Sequence, residues 1–259
     1  MNGQTFIFAD PDGVAEESAR RLVRLMAEST GERFSLALSG GSTPQRFYRL
    51  LTTPHWRGQI DWGRLHIFLA DERFLALDHP DSNFRMLSET LIDPINHSTA
   101  STSTLPLDGG RQGGGALIKL PKSNIHPMPT DGTVEECAVR YETELKKFFE
   151  GHTPRFDLIV LGMGPDGHTA SLFPGHIHPL GPWVLPVHHS PKPPPTRLSL
   201  SLDVINQAHL VLFLVTGPDK AAALATLHND SVPTLPAGTV QLDEGELVWL
   251  VDEAAWGKA

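Results

Sequence analysis

The sequence has a single cysteine, Cys137, among 259 residues, so no disulfide can form within the chain and no cysteine-based metal cluster can be built. It is also short of basic residues: 21 Lys and Arg stand against 30 Asp and Glu, a formal charge of −9. Nucleic acid and anionic membranes both demand a basic surplus. Neither is expected as a partner, and any anionic ligand must be caught by a few placed cations. No apolar run approaches the roughly 18 residues of a membrane span, and Met1 to Asp10 shows no basic stretch leading into a long apolar one. A cytoplasmic location is therefore the expectation. No internal repeat is visible, and with 40% hydrophobic residues the chain reads as one domain, 1–259, able to bury a substantial core.

What is present is a cycle of short apolar run, turn and helical pattern, which is how a βα-wound sheet reads. Strands are expected at Thr5–Ala9, Phe34–Leu38, Leu65–Ala70, Phe156–Leu161, Leu210–Val215 and Leu247–Val251, with a further strand-like segment opened by Arg197. Helices are expected at Pro11–Glu28, Gln45–Leu51, Asn83–Leu91, Val134–Phe149 and Lys220–Leu227, with Pro44 suited to the first helical position of the second. The strands lack apolar-polar alternation. That indicates burial on both faces, hence an α/β fold with a Rossmann-like, mostly parallel twisted sheet and helices on each side. Ser98–Ser123, glycine-rich and fed by no strand, is expected to be a surface loop, and Pro179–Pro195 an extended surface connection.

In such sheets a ligand sits outside the carboxyl ends of the strands. Four loops there are chemically unusual. Ser39-Gly40-Gly41-Ser42-Thr43-Pro44 offers close backbone approach, hydroxyl donors and a helix N-terminus, the parts of a phosphate cradle. A plain capped turn would look similar, and a nucleotide P-loop does not fit because no Lys-Ser or Lys-Thr pair follows the glycines. Asp71-Glu72-Arg73 brings a guanidinium that can take phosphate bidentately beside a carboxylate that can orient it, although a surface salt bridge would read the same. The loop Gly162–Gly175 matches the spacing of a dinucleotide fingerprint, but Asp166 would stand where a pyrophosphate must sit, and no acidic residue follows between Gly167 and Leu202. What remains there is His168 on a glycine-rich turn, two residues after Asp166, able to accept a proton from water near neutral pH. In the fourth loop, Thr216–Lys220, Lys220 offers a point charge for phosphate, as Arg197 does elsewhere.

Together, SGGSTP (39–44), ADER (70–73), SNFRM (82–86), NIHPMPTDG (124–132), GMGPDGHTASLFPG (162–175), RLSLSLDVI (197–205) and TGPDK (216–220) resemble 6-phosphogluconolactonases. The resemblance covers nearly the whole chain, about Phe6 to Val251, and the DGHTASLFPG run is its most specific piece. It implies the fold shared with glucosamine-6-phosphate deaminase and ribose-5-phosphate isomerase. It also implies hydrolysis of 6-phospho-D-glucono-1,5-lactone in the oxidative pentose phosphate pathway, with no metal or organic cofactor. In this family's pattern His168 activates water, Asp166 and Asp71 order the site, and Gly40, Gly41, Ser42, Thr43, Arg73, Arg197 and Lys220 hold the phosphorylated substrate. The partner is then a small phosphosugar lactone, and the expectation is a monomer.

The residues bear on other chemistries too. Aminosugar-phosphate deaminases resemble the chain at the same loops but carry a proton-carrying glutamate where Phe173 stands here. A sugar-phosphate sensor would bind without turnover. His176-Ile177-His178 and His188-His189 suggest a metal hydrolase, but no carboxylate accompanies them on that proline-rich stretch.

Overall fold

The computed structural model describes residues 2–97, 119–229 and 234–257. Among these, the strands are β1 (Gln4–Phe8), β2 (Phe34–Leu38), β3 (Leu65–Leu69), β4 (Asp71–Arg73), β5 (Ile125–His126), β6 (Leu158–Gly162), β7 (Val184–Val187), β8 (Arg197–Leu200), β9 (Leu210–Val215) and β10 (Glu246–Asp252). Seven of them form one sheet in the order β1-β10-β9-β6-β2-β3-β5, parallel at each pairing. All five residues of β2 and all six of β9 are buried. This is why they read as unbroken apolar runs.

Parallel register puts side chains of paired residues on the same face. Phe6, Leu250 and Leu214 are partners on one face. That face also carries Leu212, Val160 and Leu38, whereas Ala37, Phe68 and His126 point to the other. Helix α1 (Pro11–Glu28) covers the first face, with its Arg21 guanidinium 4.7 Å from the centre of the Phe6 ring. The helix Val134–Phe148 covers the second, its Phe148 edge-on to Phe68 at 4.9 Å. Each helix has a sequence reason to start where it does. Asp10 accepts from Gly13 N–H at 2.9 Å with Pro11 next in line, and Thr133 and Glu136 cap each other reciprocally.

The chain leaves β2 toward β3 on one side, while β6 connects onward to β9 on the other. The β2–β6 border is thus the point where strand order reverses, and the loops after these two strands diverge to leave a crevice. Over this end lies a small antiparallel sheet, β4-β8-β7, with Asp71 opposite Ser199 and Arg73 opposite Arg197.

Several expectations need correction. Asp71-Glu72-Arg73 is not a loop but the strand β4, because Ser199, Leu198 and Arg197 supply it with a pairing edge. The second helix, α2, runs Ser42–Leu51 and starts before Pro44, since Gly41 at φ 115° turns the chain directly into it. The proline-rich connection contains β7 (Val184–Val187). Of the glycine-rich segment, residues 98–118 lie outside the described residues. Leu120 is buried and donates from its N–H to Asn96 Oδ1 at 2.9 Å.

Candidate active site

The crevice at the β2–β6 border is a cavity of about 310 Å³. Of the residues singled out by sequence, Gly40, Gly41, Ser42, Thr43 and Asp71 line it, as do Arg73, His168, Arg197 and Lys220. Asp166 stands one bond behind, on the histidine. The structure therefore brings all ten to one place.

His168 is positioned by its loop. Gly164 N–H donates to the His168 carbonyl at 2.9 Å and Gly167, at φ 76°, closes the turn by donating to Gly164 O at 2.9 Å. Gly164 is a steric requirement: a Cβ there would meet His168 Nδ1 at 2.0 Å and Asp166 Oδ1 at 2.4 Å. His168 Nδ1 lies 2.5 Å from Asp166 Oδ1, so Nδ1–H donates to the carboxylate and Nε2 is left with its lone pair. Burial pushes the His168 pKa below the ordinary imidazole value, against the opposing pull of Asp166. Burial would raise Asp166, but the hydrogen bond from His168 and the charges of His168 and Lys192 outweigh it and hold the carboxyl low. The pair thus couples an imidazole to a carboxylate through Nδ1, an arrangement able to serve as a general base.

Across the cavity the SGGST turn opens α2. Its N-cap, Gly41, has no side chain, so the N–H groups of Ser42 and Thr43 are uncapped. Gly40 packs so tightly on Asn83 that a Cβ would meet Asn83 Oδ1 at 1.9 Å. Thr43 Oγ1 and Thr216 Oγ1 share a hydrogen bond of 2.7 Å, tying this turn to the loop after β9. Ser39 Oγ is buried, borders the cavity and lacks a partner among the described residues. Such a group is costly to leave unsatisfied and is suited to a ligand oxygen.

The cations differ in what already engages them. Lys220 Nζ sits 2.8 Å from Asp219 Oδ2. Arg73 gives Nη1 to Asp81 O at 2.8 Å, and its buried Nε has no partner among the described residues. Arg197, 4% exposed, donates Nε to Pro194 O and Nη2 to the carbonyls of Lys192 and Pro193. Much of its fork holds the protein's own backbone rather than standing free for phosphate. Asp71 accepts from Ser171 Oγ at 2.8 Å and from Asn83 Nδ2 at 3.3 Å. Glu72, fully buried, accepts from the backbone N–H groups of Arg73, Asn83 and Phe84 and from Ser82 Oγ. It anchors the Asn83 helix from beneath the cavity.

Sequence reading missed Lys192 and gave no role to Asn83, both of which line the cavity. The signal for Lys192 was a lone cation set among prolines just before Arg197. The histidines that suggested a metal lie apart: His188 Nε2 contacts Glu135 at 2.8 Å, and His178 Nε2 the Phe173 carbonyl at 3.2 Å. Among the described residues no three His, Cys, Asp or Glu side chains come together in a metal-holding group, and no described helix is long and apolar enough to cross a membrane. Phe173 is fully buried, its ring 4.8 Å from that of His168.

A family model described as glucosamine-6-phosphate isomerases/6-phosphogluconolactonase matches residues 9–249. The 6-phosphogluconolactonase of Synechocystis is 38% identical over 229 residues, which cover 85% of this chain and 82% of that one. The 6-phosphogluconolactonase of Rattus norvegicus is 36% identical over 262 residues, 98% of this chain and 92% of that one. Among solved structures, the 6-phosphogluconolactonase from Thermotoga maritima is similar with a TM-score of 0.77 at 30% identity, covering 97% of this chain and 100% of the other.

Proposed function

The chain belongs to the family of glucosamine-6-phosphate isomerases and 6-phosphogluconolactonases, and from that premise we propose that it hydrolyses 6-phospho-D-glucono-1,5-lactone to 6-phospho-D-gluconate, with His168 as general base. The reaction is a step of the oxidative pentose phosphate pathway. The observation that carries the assignment of His168 is the Asp166 contact on Nδ1, which leaves Nε2 basic at the cavity wall.

A δ-lactone is an activated ester, so the protein need only hold it, deprotonate water and meet the tetrahedral oxyanion. Nε2 takes one proton from water as the hydroxyl oxygen bonds to C1. The carbonyl oxygen becomes the oxyanion. Its collapse breaks the bond to the ring oxygen, which receives the proton back from the imidazolium, and the product is the open-chain acid. No covalent intermediate is required. The phosphate, remote from C1, binds the uncapped α2 N-terminus and the Arg73 and Lys220 cations, and its binding energy orients the ring.

Phe173 beside His168 favours hydrolysis over aminosugar deamination, because an apolar ring offers no second proton carrier at that place. The net charge of −9 supports a small free substrate rather than a nucleic acid or a membrane. A lactone assay with an aminosugar 6-phosphate as control tests the activity. Acid release above the spontaneous rate, with no ammonia from the aminosugar, is the expected result. Ammonia release without lactone hydrolysis would reverse the assignment.

A further inference from the structure

The strap between β7 and β8 carries a lysine onto the cavity wall. Lys192 Nζ lies 3.3 Å from Asp166 Oδ1 and 3.4 Å from His168 Nδ1. The strap is held firmly. Ser190 Oγ donates to the Lys192 carbonyl at 2.8 Å and accepts from its N–H at 3.3 Å, while Ser190 N–H reaches Pro195 O at 2.8 Å. The buried Arg197 guanidinium adds its bonds to the carbonyls of Lys192, Pro193 and Pro194. An ammonium has only donors, so it cannot bond a ring nitrogen that is itself donating. With Nδ1–H committed to Asp166, Lys192 bonds the carboxylate and stands beside the ring as a bare charge.

Charged groups face the imidazole from three elements: Asp166 on its own loop, Asp71 from β4, and Lys192 from the strap. Arg73, Arg197, Lys220 and Asp219 line the remainder of the cavity. Two carboxylates near a buried histidine favour imidazolium, which cannot take a proton from water. A cation on the Nδ1 side opposes them without blocking Nε2, and it also keeps Asp166 ionised as the acceptor that fixes the tautomer.

Resting on the assignment of His168 as base, we propose that Lys192 is a positioning residue for the hydrolysis: its ammonium, set against both Asp166 and the Nδ1 edge of His168, keeps the imidazole neutral with Nε2 free. Arg197 serves the same end by clamping the strap. Lys192 acts through His168 and makes no contact with the reacting atoms.

The test follows the His168 imidazole by NMR against pH in the wild type, Lys192→Met and Lys192→Arg, without substrate, and measures lactone turnover on the same samples. In Lys192→Met the His168 midpoint moves to higher pH, and in Lys192→Arg it returns close to the wild-type position. For Lys192→Met, kcat/KM is several-fold lower on the acid side, recovers on the alkaline plateau, and KM changes little. An unmoved midpoint in Lys192→Met overturns the inference whatever turnover does. A loss at every pH with raised KM also overturns it, by making Lys192 a substrate contact. Wild-type protein that leaves the lactone untouched, with the midpoint shift intact, would instead strike the hydrolase assignment and leave the electrostatic coupling standing.

Discussion

Arg73 and Arg197 stand opposite each other across the antiparallel β4–β8 pair, and among the described residues neither forms an ion pair. Lys220 and Lys192, by contrast, already rest on Asp219 and Asp166. Burial and the Arg73 charge disfavour the charged Arg197, while Asp71 and Glu72 oppose them. An incoming anion relieves both penalties. Arg73 is the cleaner one to probe, because Arg197 also clamps the strap. Arg73→Ala is expected to raise KM for the lactone about tenfold or more, the worth of one or two hydrogen bonds to a charged group, with a smaller change in kcat. Steady-state kinetics decide it, and an unchanged KM would send the phosphate elsewhere.

Gly164 tests how tightly the dyad is built. A methyl group there would fall 2.0 Å from His168 Nδ1, so Gly164→Ala must push the ring or the carboxylate aside. Misplacing a catalytic group by an ångström can cost about a hundredfold. We expect kcat to fall by at least about tenfold in a protein whose thermal midpoint changes little, since the turn is at the cavity rather than in the core. A variant with wild-type kcat would mean that the 2.5 Å contact between Asp166 and His168 does not matter.

The pH profile has a definite sign. Only neutral His168 can act as base, and burial lowers its pKa, so the acid limb of kcat/KM for the free enzyme should lie below the ordinary imidazole value of about 6.5. An acid limb above that value would contradict a buried base.

Stability carries a separate histidine signature. His66 donates from Nδ1 to His126 Nε2 at 3.0 Å, and His126 donates in turn to Glu144 Oε1 at 2.6 Å. Burial first, then the charges of His126 and Arg33, bring the His66 pKa down to about 4. Between the ordinary histidine range and about 4, the unfolded chain binds a proton that the folded protein refuses. Stability therefore falls as pH drops through that window. Urea midpoints measured across it should decline less in His66→Phe than in the wild type, and equal slopes would exclude His66 as a source.

Much of this was written into the chain. The runs FSLAL and LVLFLV read as doubly covered strands because burial on both faces removes the polar alternation. Those strands mark the carboxyl ends at which a ligand is expected, and His168, the SGGST turn and Lys220 stand there. The small sheet was not legible. Asp71-Glu72-Arg73 is three charged residues, and only its tertiary partner β8 makes it a strand. Lys192 was hidden for a related reason. Its position depends on Ser190 and Arg197 holding a proline-rich strap in place, and composition alone reads such a strap as a passive connection.

The central claim is that His168 takes the proton from water. Its most direct measurement is the kcat of His168→Gln on 6-phospho-D-glucono-1,5-lactone, corrected for spontaneous hydrolysis. We expect a loss of at least about a hundredfold, within the usual range for a general base, with KM little changed because the phosphate contacts remain. A glutamine variant that keeps near wild-type kcat would contradict the account.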